Sequence, residues 1–316
     1  MRGFSQCQSQ IAVPNSCLII GPMTIISYDL LQEYRSRMFR TAPGLRIKTK
    51  EEAIRYVNQL GFVFFWPIKD ILLPSLWTAA AGDRPVADAH DDPGHVTWGW
   101  KDSLLGQHQW YYGKVLRKKS TMISLSVTPN FYALTENYGA PEEDYLTQYE
   151  QGKLTQESKT VYEALLDEGP LDTIALRKTA HLTSRESDAR FNKALTDLQA
   201  DFKIIPVGVS QAGAWNYAFI YDILPRHYPE IVEGARFIGE EDARQRLAGL
   251  YLKAVGGAQL RDLTRLFGWQ PTQARRALEG LILAGDVQTG LEIQAPENPI
   301  SKSGAHSDWF LLSELC

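Results

Sequence analysis

Apolar side chains recur at Phe191, Ala194, Leu195 and Leu198, the i, i+3, i+4, i+7 spacing of a helix with one buried face. That stripe predicts a helix whose other face carries Arg190 and Lys193. Upstream, Thr155 is placed to cap a helix running through residue 167, and residues 169–180 read as a short second helix. Leu182 and Thr183 then form a turn, and Thr183 with Glu186 has the spacing of a capping box opening the third helix. After it, FKIIPVGV and YAFIYDIL read as two strands joined across QAGAW. Three helices followed by a hairpin is the order of a winged helix-turn-helix.

The order returns after Gly239. EEDARQRLAGLYLKAV, LRDLTRLFG and TQARRALEGLILAG predict three more helices, with Pro271 at the first turn of the last and Gly285 at its end. DVQTGLEIQ and DWFLLSEL read as a second wing, joined by a loop over residues 295–307. In the first half, one helix is predicted over residues 28–39. A second is opened by a Thr49/Glu52 capping box, with Ile54, Val57 and Gly61 on one face before the apolar run FVFFWPI. Residues 70–139 turn Trp- and Gly-rich, with a strand pair in WYYGKVLRKK and STMISLSV.

The expected architecture is mainly α with small β elements (α+β): tandem winged helix-turn-helix units plus a mixed central segment. The expected divisions are a disordered or mispredicted leader over residues 1–22, a helical unit over 23–69, and the central segment over 70–150. Two winged units follow, over 151–228 and 236–316. With 316 residues the chain is long enough for several cores. Hydrophobic content of 44% and charged content of 22% are those of an ordinary globular fold, and no apolar run reaches the length of a bilayer span.

A net charge of −4 offers no bulk attraction to a polyanion, so a nucleic-acid surface requires local segregation of charge. Residues 244–276 supply it, with seven Arg or Lys against the single acidic Asp262. Cys7, Cys17 and Cys316 form no CxxC pair, so neither a zinc site nor a disulfide framework is expected, and a reducing cytoplasm fits. No cofactor is called for. Candidate DNA contacts are Arg185, Arg190 and Lys193 in the first winged unit, and Thr272, Gln273, Arg275 and Arg276 in the second. Arg and Gln suit base edges, and Lys and Arg suit phosphates. Each also reads as part of a solvated helix face. Lys114, Arg117, Lys118 and Lys119 on the central strand pair are candidates for the DNA backbone, or a charged sheet edge.

At LGFVFFWPI (residues 60–68), GDRPVADAHDDPGHVTWGWKD and the paired winged units, the chain resembles the AlkZ/YcaQ family of winged-helix DNA glycosylases, over residues 23–316. The resemblance implies double-stranded DNA as partner, damaged or crosslinked, and cleavage of the N-glycosidic bond of an alkylated base. That family's Gln-apolar-Gln or Gln-apolar-Asp motif, which positions a water near the scissile sugar, falls by position on Phe64, Phe65 and Trp66. Aromatic rings have no carbonyl or carboxylate to accept a proton from water, so that role does not transfer. The three residues read as core packing at the end of a helix, as a platform or wedge for bases, or, last, as residual catalysts. Asp88, His90, Asp91, Asp92 and His95 crowd a Pro/Gly-bounded loop. They offer carboxylates to activate water and imidazoles to move a proton, or simply make a turn. A His90–His95 metal site specifies no geometry. The rival functions are a winged-helix transcription regulator without enzymatic activity, and a scaffold that uses the aromatic segment for protein contacts.

Overall fold

The side chain of Thr49 accepts the backbone N–H of Glu52 at 3.2 Å while the Glu52 carboxylate accepts that of Thr49 at 3.3 Å, so the predicted capping box is formed. The helix it opens ends at Gly61, where φ of +85° turns the chain into a strand at no steric cost. This is a computed structural model, and it describes residues 25–89, 91–213, 216–294 and 309–316. The expected leader over residues 1–22 and the 295–307 loop lie outside the described residues.

The first half contains β1 (Ile25–Ser27), α1 (Tyr28–Met38), α2 (Lys50–Leu60), β2 (Phe62–Phe64), α3 (Leu76–Ala81), α4 (Val96–Leu104), β3 (Tyr111–Lys114), β4 (Ser120–Ile123), α5 (Thr128–Tyr132) and α6 (Asp144–Glu150). There follow α7 (Gln156–Glu168), β5 (Leu171–Asp172), α8 (Thr173–Thr179), α9 (Asp188–Ala200), β6 (Ile204–Ser210), β7 (Ala218–Ile223), α10 (Leu224–His227) and α11 (Pro229–Ala235). The chain closes with α12 (Glu240–Val255), β8 (Gly257–Gln259), α13 (Leu260–Phe267), α14 (Pro271–Leu283), β9 (Val287–Gln294) and β10 (Trp309–Leu312). The fold is thus mainly α with three small sheets among the described residues, in strand orders β1-β9-β10-β8, β2-β4-β3 and β5-β7-β6.

Two apolar clusters hold these elements. One lies within residues 145–223 and joins Val161, Leu165, Leu176, Phe191, Leu198 and Ile223 beneath α7, α8 and α9. The other runs from α2 and the β2-β4-β3 sheet to α12 and α14, so the early helices share a core with the end of the chain. β1 pairs in parallel with β9, and the Arg35 guanidinium donates to the carbonyls of Val255 and Gly257 at 3.0 and 2.9 Å. Gly256 between them has φ of +77°, and a Cβ there would lie 2.8 Å from atoms of Leu31 and Tyr34. That position has room only for glycine.

Two local expectations are corrected. The third helix of the first unit does not open on a Thr183/Glu186 box. A 3-10 turn, Arg185–Ser187, precedes it and α9 begins at Asp188. Around it, Arg177 donates to Leu182 O, and the Ser187 hydroxyl donates to Leu182 O and Ser184 O at 2.8 and 2.7 Å, which holds residues 182–187 as a turn rather than as the first turn of the helix. Arg185 therefore stands on the turn rather than on the helix. The strand predicted through residue 119 stops at Lys114, because Arg117 and Lys118 adopt left-handed φ of 54° and 56° within a 3-10 turn.

Candidate functional site

Phe64 and Phe65 follow a helix, as expected, but at the end of a strand. β2 pairs with β4 in the register Phe64↔Thr121, and Phe65 continues the edge by donating to Ser120 O at 2.8 Å. Both rings are buried, whereas Trp66 is half-buried. The chain leaves the sheet at Trp66, beyond the last β2–β4 pair, so that ring is covered on fewer sides than those of Phe64 and Phe65. The Trp66 ring lies 5.1 Å from that of Trp77, 6.1 Å from that of His95 and 6.0 Å from that of Trp98. The structure thus brings the position of the family motif together with the end of the Asp/His loop.

That loop is held by one carboxylate. Asp92 takes both terminal nitrogens of Arg84, at 2.9 and 2.5 Å, and accepts the Gly94 N–H at 2.7 Å as the cap of the Pro93–His95 turn. The Arg84 guanidinium lies 5.1 Å from the Trp77 ring. Asp92 is occupied as a turn anchor, while Asp88 and Asp91 are exposed and His90 lies outside the described residues. The His95 Nε2 stands 3.0 Å from Ala87 O; a carbonyl only accepts, so Nε2 carries the hydrogen in this contact. Among the described residues no cluster of His, Cys, Asp or Glu could hold a metal ion.

Arg84, and secondarily the Gly94 N–H, hold the Asp92 carboxyl below the usual carboxylate range. A depressed folded value means that this anchor is fully present above the unfolded carboxylate value and is lost as pH falls through the lower folded one. The protection factor of the Gly94 amide is therefore expected to hold down to the ordinary carboxylate range and to fall only below it. Asp92→Asn should leave the amide less protected at every pH.

Sequence reasoning missed the group behind this aromatic surface. Lys101 on α4 is 2% exposed, and its Nζ lies 2.8 Å from Asp102 Oδ1 and 3.1 Å from the Tyr217 hydroxyl, which itself donates to Asp102 Oδ1 at 2.9 Å. The ammonium also sits 4.7 Å from the ring centroids of both Trp98 and Phe219 and 5.5 Å from that of Tyr112. Burial pushes the Lys101 ammonium below its ordinary value, against the opposing pull of Asp102. No spacing announces this cluster, because Tyr217 arrives from the far end of the β6–β7 hairpin. The visible signal was the Trp-x-x-Lys-Asp string, which also describes an ordinary amphipathic helix.

The predicted basic residues fall into two groups. Lys114 donates to Thr196 Oγ1 at 3.3 Å and Lys118 pairs with Asp197 at 2.6 Å, which brings the 114–119 turn onto α9 beside Lys193, also paired with Asp197. Arg190 pairs with Glu157 at 3.1 Å. Arg117, Lys119 and Arg185 are exposed and form no ion pair among the described residues. The same turn packs against α13, whose Arg265 donates to Asp70 O at 3.0 Å. On α14, Gln273 is committed to capping through Gln270 N at 2.9 Å, Arg276 faces Glu241 at 3.2 Å, and Thr272 and Arg275 are exposed.

No curated protein matches the chain. Among solved structures, the Streptomyces sahachiroi DNA glycosylase AlkZ matches at a TM-score of 0.55 and 12% identity, over 91% of this chain and 70% of that one. At that identity the likeness is one of fold. Residues 47–268 match the family described as AlkZ related, a span that takes in β2, the Asp/His loop, α4, the basic turn and α9. On that match, which covers well over half of its length, the chain belongs to the AlkZ-related family.

Proposed function

We propose that this protein binds duplex DNA through the basic turn and its neighbouring helices, and acts as a repair glycosylase-type protein on alkylated or crosslinked bases. The observation that carries the reading is convergence. Trp66, His95 and Trp98 meet over the buried Trp77 as an aromatic surface on the sheet whose β3–β4 turn extends Arg117, Lys118 and Lys119. A surface that pairs π faces with cations suits a base displaced from the stack and the phosphates that flank it. The three-helix-and-hairpin orders of α7, α8, α9, β6, β7 and of α12, α13, α14, β9, β10 support a winged-helix reading of the DNA grip.

One observation favours a second reading, that of a DNA-binding regulator without chemistry. At the motif position the side chains of Phe64 and Trp66 offer no acceptor for a water proton. The two readings part in one assay. Incubation with duplexes carrying N-alkylated purines or an interstrand crosslink, followed by alkaline cleavage of abasic sites, is expected to yield strand breaks above the no-protein level. Intact strands together with tight binding to one promoter sequence would favour the regulator.

A further inference from the structure

Asp102 is the one member of the Lys101–Asp102–Tyr217 group with a free edge. Its Oδ1 is taken by Lys101 and Tyr217, at 2.8 and 2.9 Å. Its Oδ2 has no hydrogen-bond partner among the described residues, and the side chain is 22% exposed. Trp98 stands four residues earlier on α4, so the two side chains share a helix face about one turn apart, with Cβ atoms ~5–6 Å from each other. Trp98 is 41% exposed, unusual for so large an apolar side chain. Its ring lies within 6.5 Å of those of Trp66, Phe65 and Tyr217, which fix its orientation from behind.

We infer that Trp98 and Asp102 form a ledge for an N-alkylated, positively charged purine, with Trp98 stacking the base and Asp102 supplying the carboxylate that the motif position lacks. This rests on the glycosylase reading above. A cationic base gains from the Trp98 face, and a base stacked there places its sugar toward Asp102, along the helix. The C1′–N bond breaks and its electron pair leaves with the base, which becomes neutral. The oxocarbenium-like centre at C1′ is stabilised by the carboxylate and takes the oxygen of a water, whose proton passes to Asp102 Oδ2 and on to solvent. The products are the free base and an abasic sugar bearing a hydroxyl. Lys101 and Tyr217 are positioning residues: they hold Oδ1, and so aim Oδ2 outward.

The competing role for Asp102 is that of a counter-ion to the buried Lys101, and the test separates the two. Duplex DNA containing 7-methylguanine is incubated with the wild type and with Asp102→Ala, and abasic sites are counted alongside duplex affinity. The expected result is a rate lower by at least about 100-fold at unchanged affinity, with added formate restoring much of the lost rate. Removing the carboxylate strands a buried cation, so the comparison is repeated in Lys101→Met/Asp102→Ala, where that cation is absent and formate has the same gap to fill. Cleavage by Asp102→Ala at a rate close to the wild type's overturns the assignment, as does a loss of cleavage that formate does not relieve in either variant. A wild type that produces no abasic sites from this substrate overturns the glycosylase reading and the ledge with it.

Discussion

Phe64→Gln, which writes back the polar residue that the family motif carries at this position, is expected to lower the free energy of unfolding by about 3–5 kcal/mol and to create no new chemistry. The Phe64 ring is fully buried, and its strand is pinned on both sides: β4 pairs with it in register, and its own N–H donates to Pro74 O at 3.0 Å. Removing a buried phenyl ring costs a few kcal/mol in lost transfer energy and poor packing. Glutamine refills part of the volume, but buries an amide that the site does not satisfy, because the hydroxyl of Thr121, opposite in register, already accepts from Leu116 N and donates to Lys119 O. The same substitution at half-buried Trp66 should cost clearly less, because its amide can reach water. Urea unfolding of both variants checks the contrast. A loss below about 1 kcal/mol at Phe64 would mean that the sheet edge opens to hydrate an amide, and that the motif position lies at a wet surface after all.

This contrast shows what kind of information the sequence held. Local signals were legible wherever the partner was near in the chain. The Thr49/Glu52 box, the helix over Glu240–Val255 and the Asp92-Pro93-Gly94 turn rest on contacts within a few residues, and each is present. The Thr183/Glu186 box had the same spacing and did not form: Arg177 and Ser187 tie the Leu182 and Ser184 carbonyls into a turn ahead of the helix, an arrangement that the Thr-x-x-Glu spacing does not encode. Long-range pairing was invisible for a stronger reason. β1 lies parallel to β9 across most of the chain, and nothing in a three-residue strand names its partner. The candidate site divides in the same way. The turn that presents Arg117 and Lys119 was marked by its charges, but Tyr217 meets Lys101 and Asp102 only once the hairpin has folded over α4. A buried lysine beside an aspartate looks, in sequence, like any solvated helix face.

The double charge reversal Arg117→Glu/Lys119→Glu is expected to weaken duplex DNA binding by on the order of 100-fold near 0.1 M salt, and to do so about equally for unrelated sequences. These two side chains are exposed and make no ion pair among the described residues, so reversing them costs the fold little. Their neighbours are differently placed. Lys118 and Lys193 share Asp197, so each would have to leave an existing ion pair to meet a phosphate. The left-handed φ of Arg117 and Lys118 also bears on the choice, because non-glycine residues at such angles cost roughly 1–3 kcal/mol each and persist only where the surroundings hold them. Here α9 and α13 clamp the turn from either side, and its cations are presented without the entropy of a free loop. If both contact phosphates, the neutral variant Arg117→Ala/Lys119→Ala should reduce the slope of log affinity against log salt by about 1.8, two released counterions at ~0.9 each. Titrating labelled duplex at several salt concentrations measures both quantities. An unchanged slope would place the DNA elsewhere, with the exposed Thr272 and Arg275 of α14 the next surface to reverse.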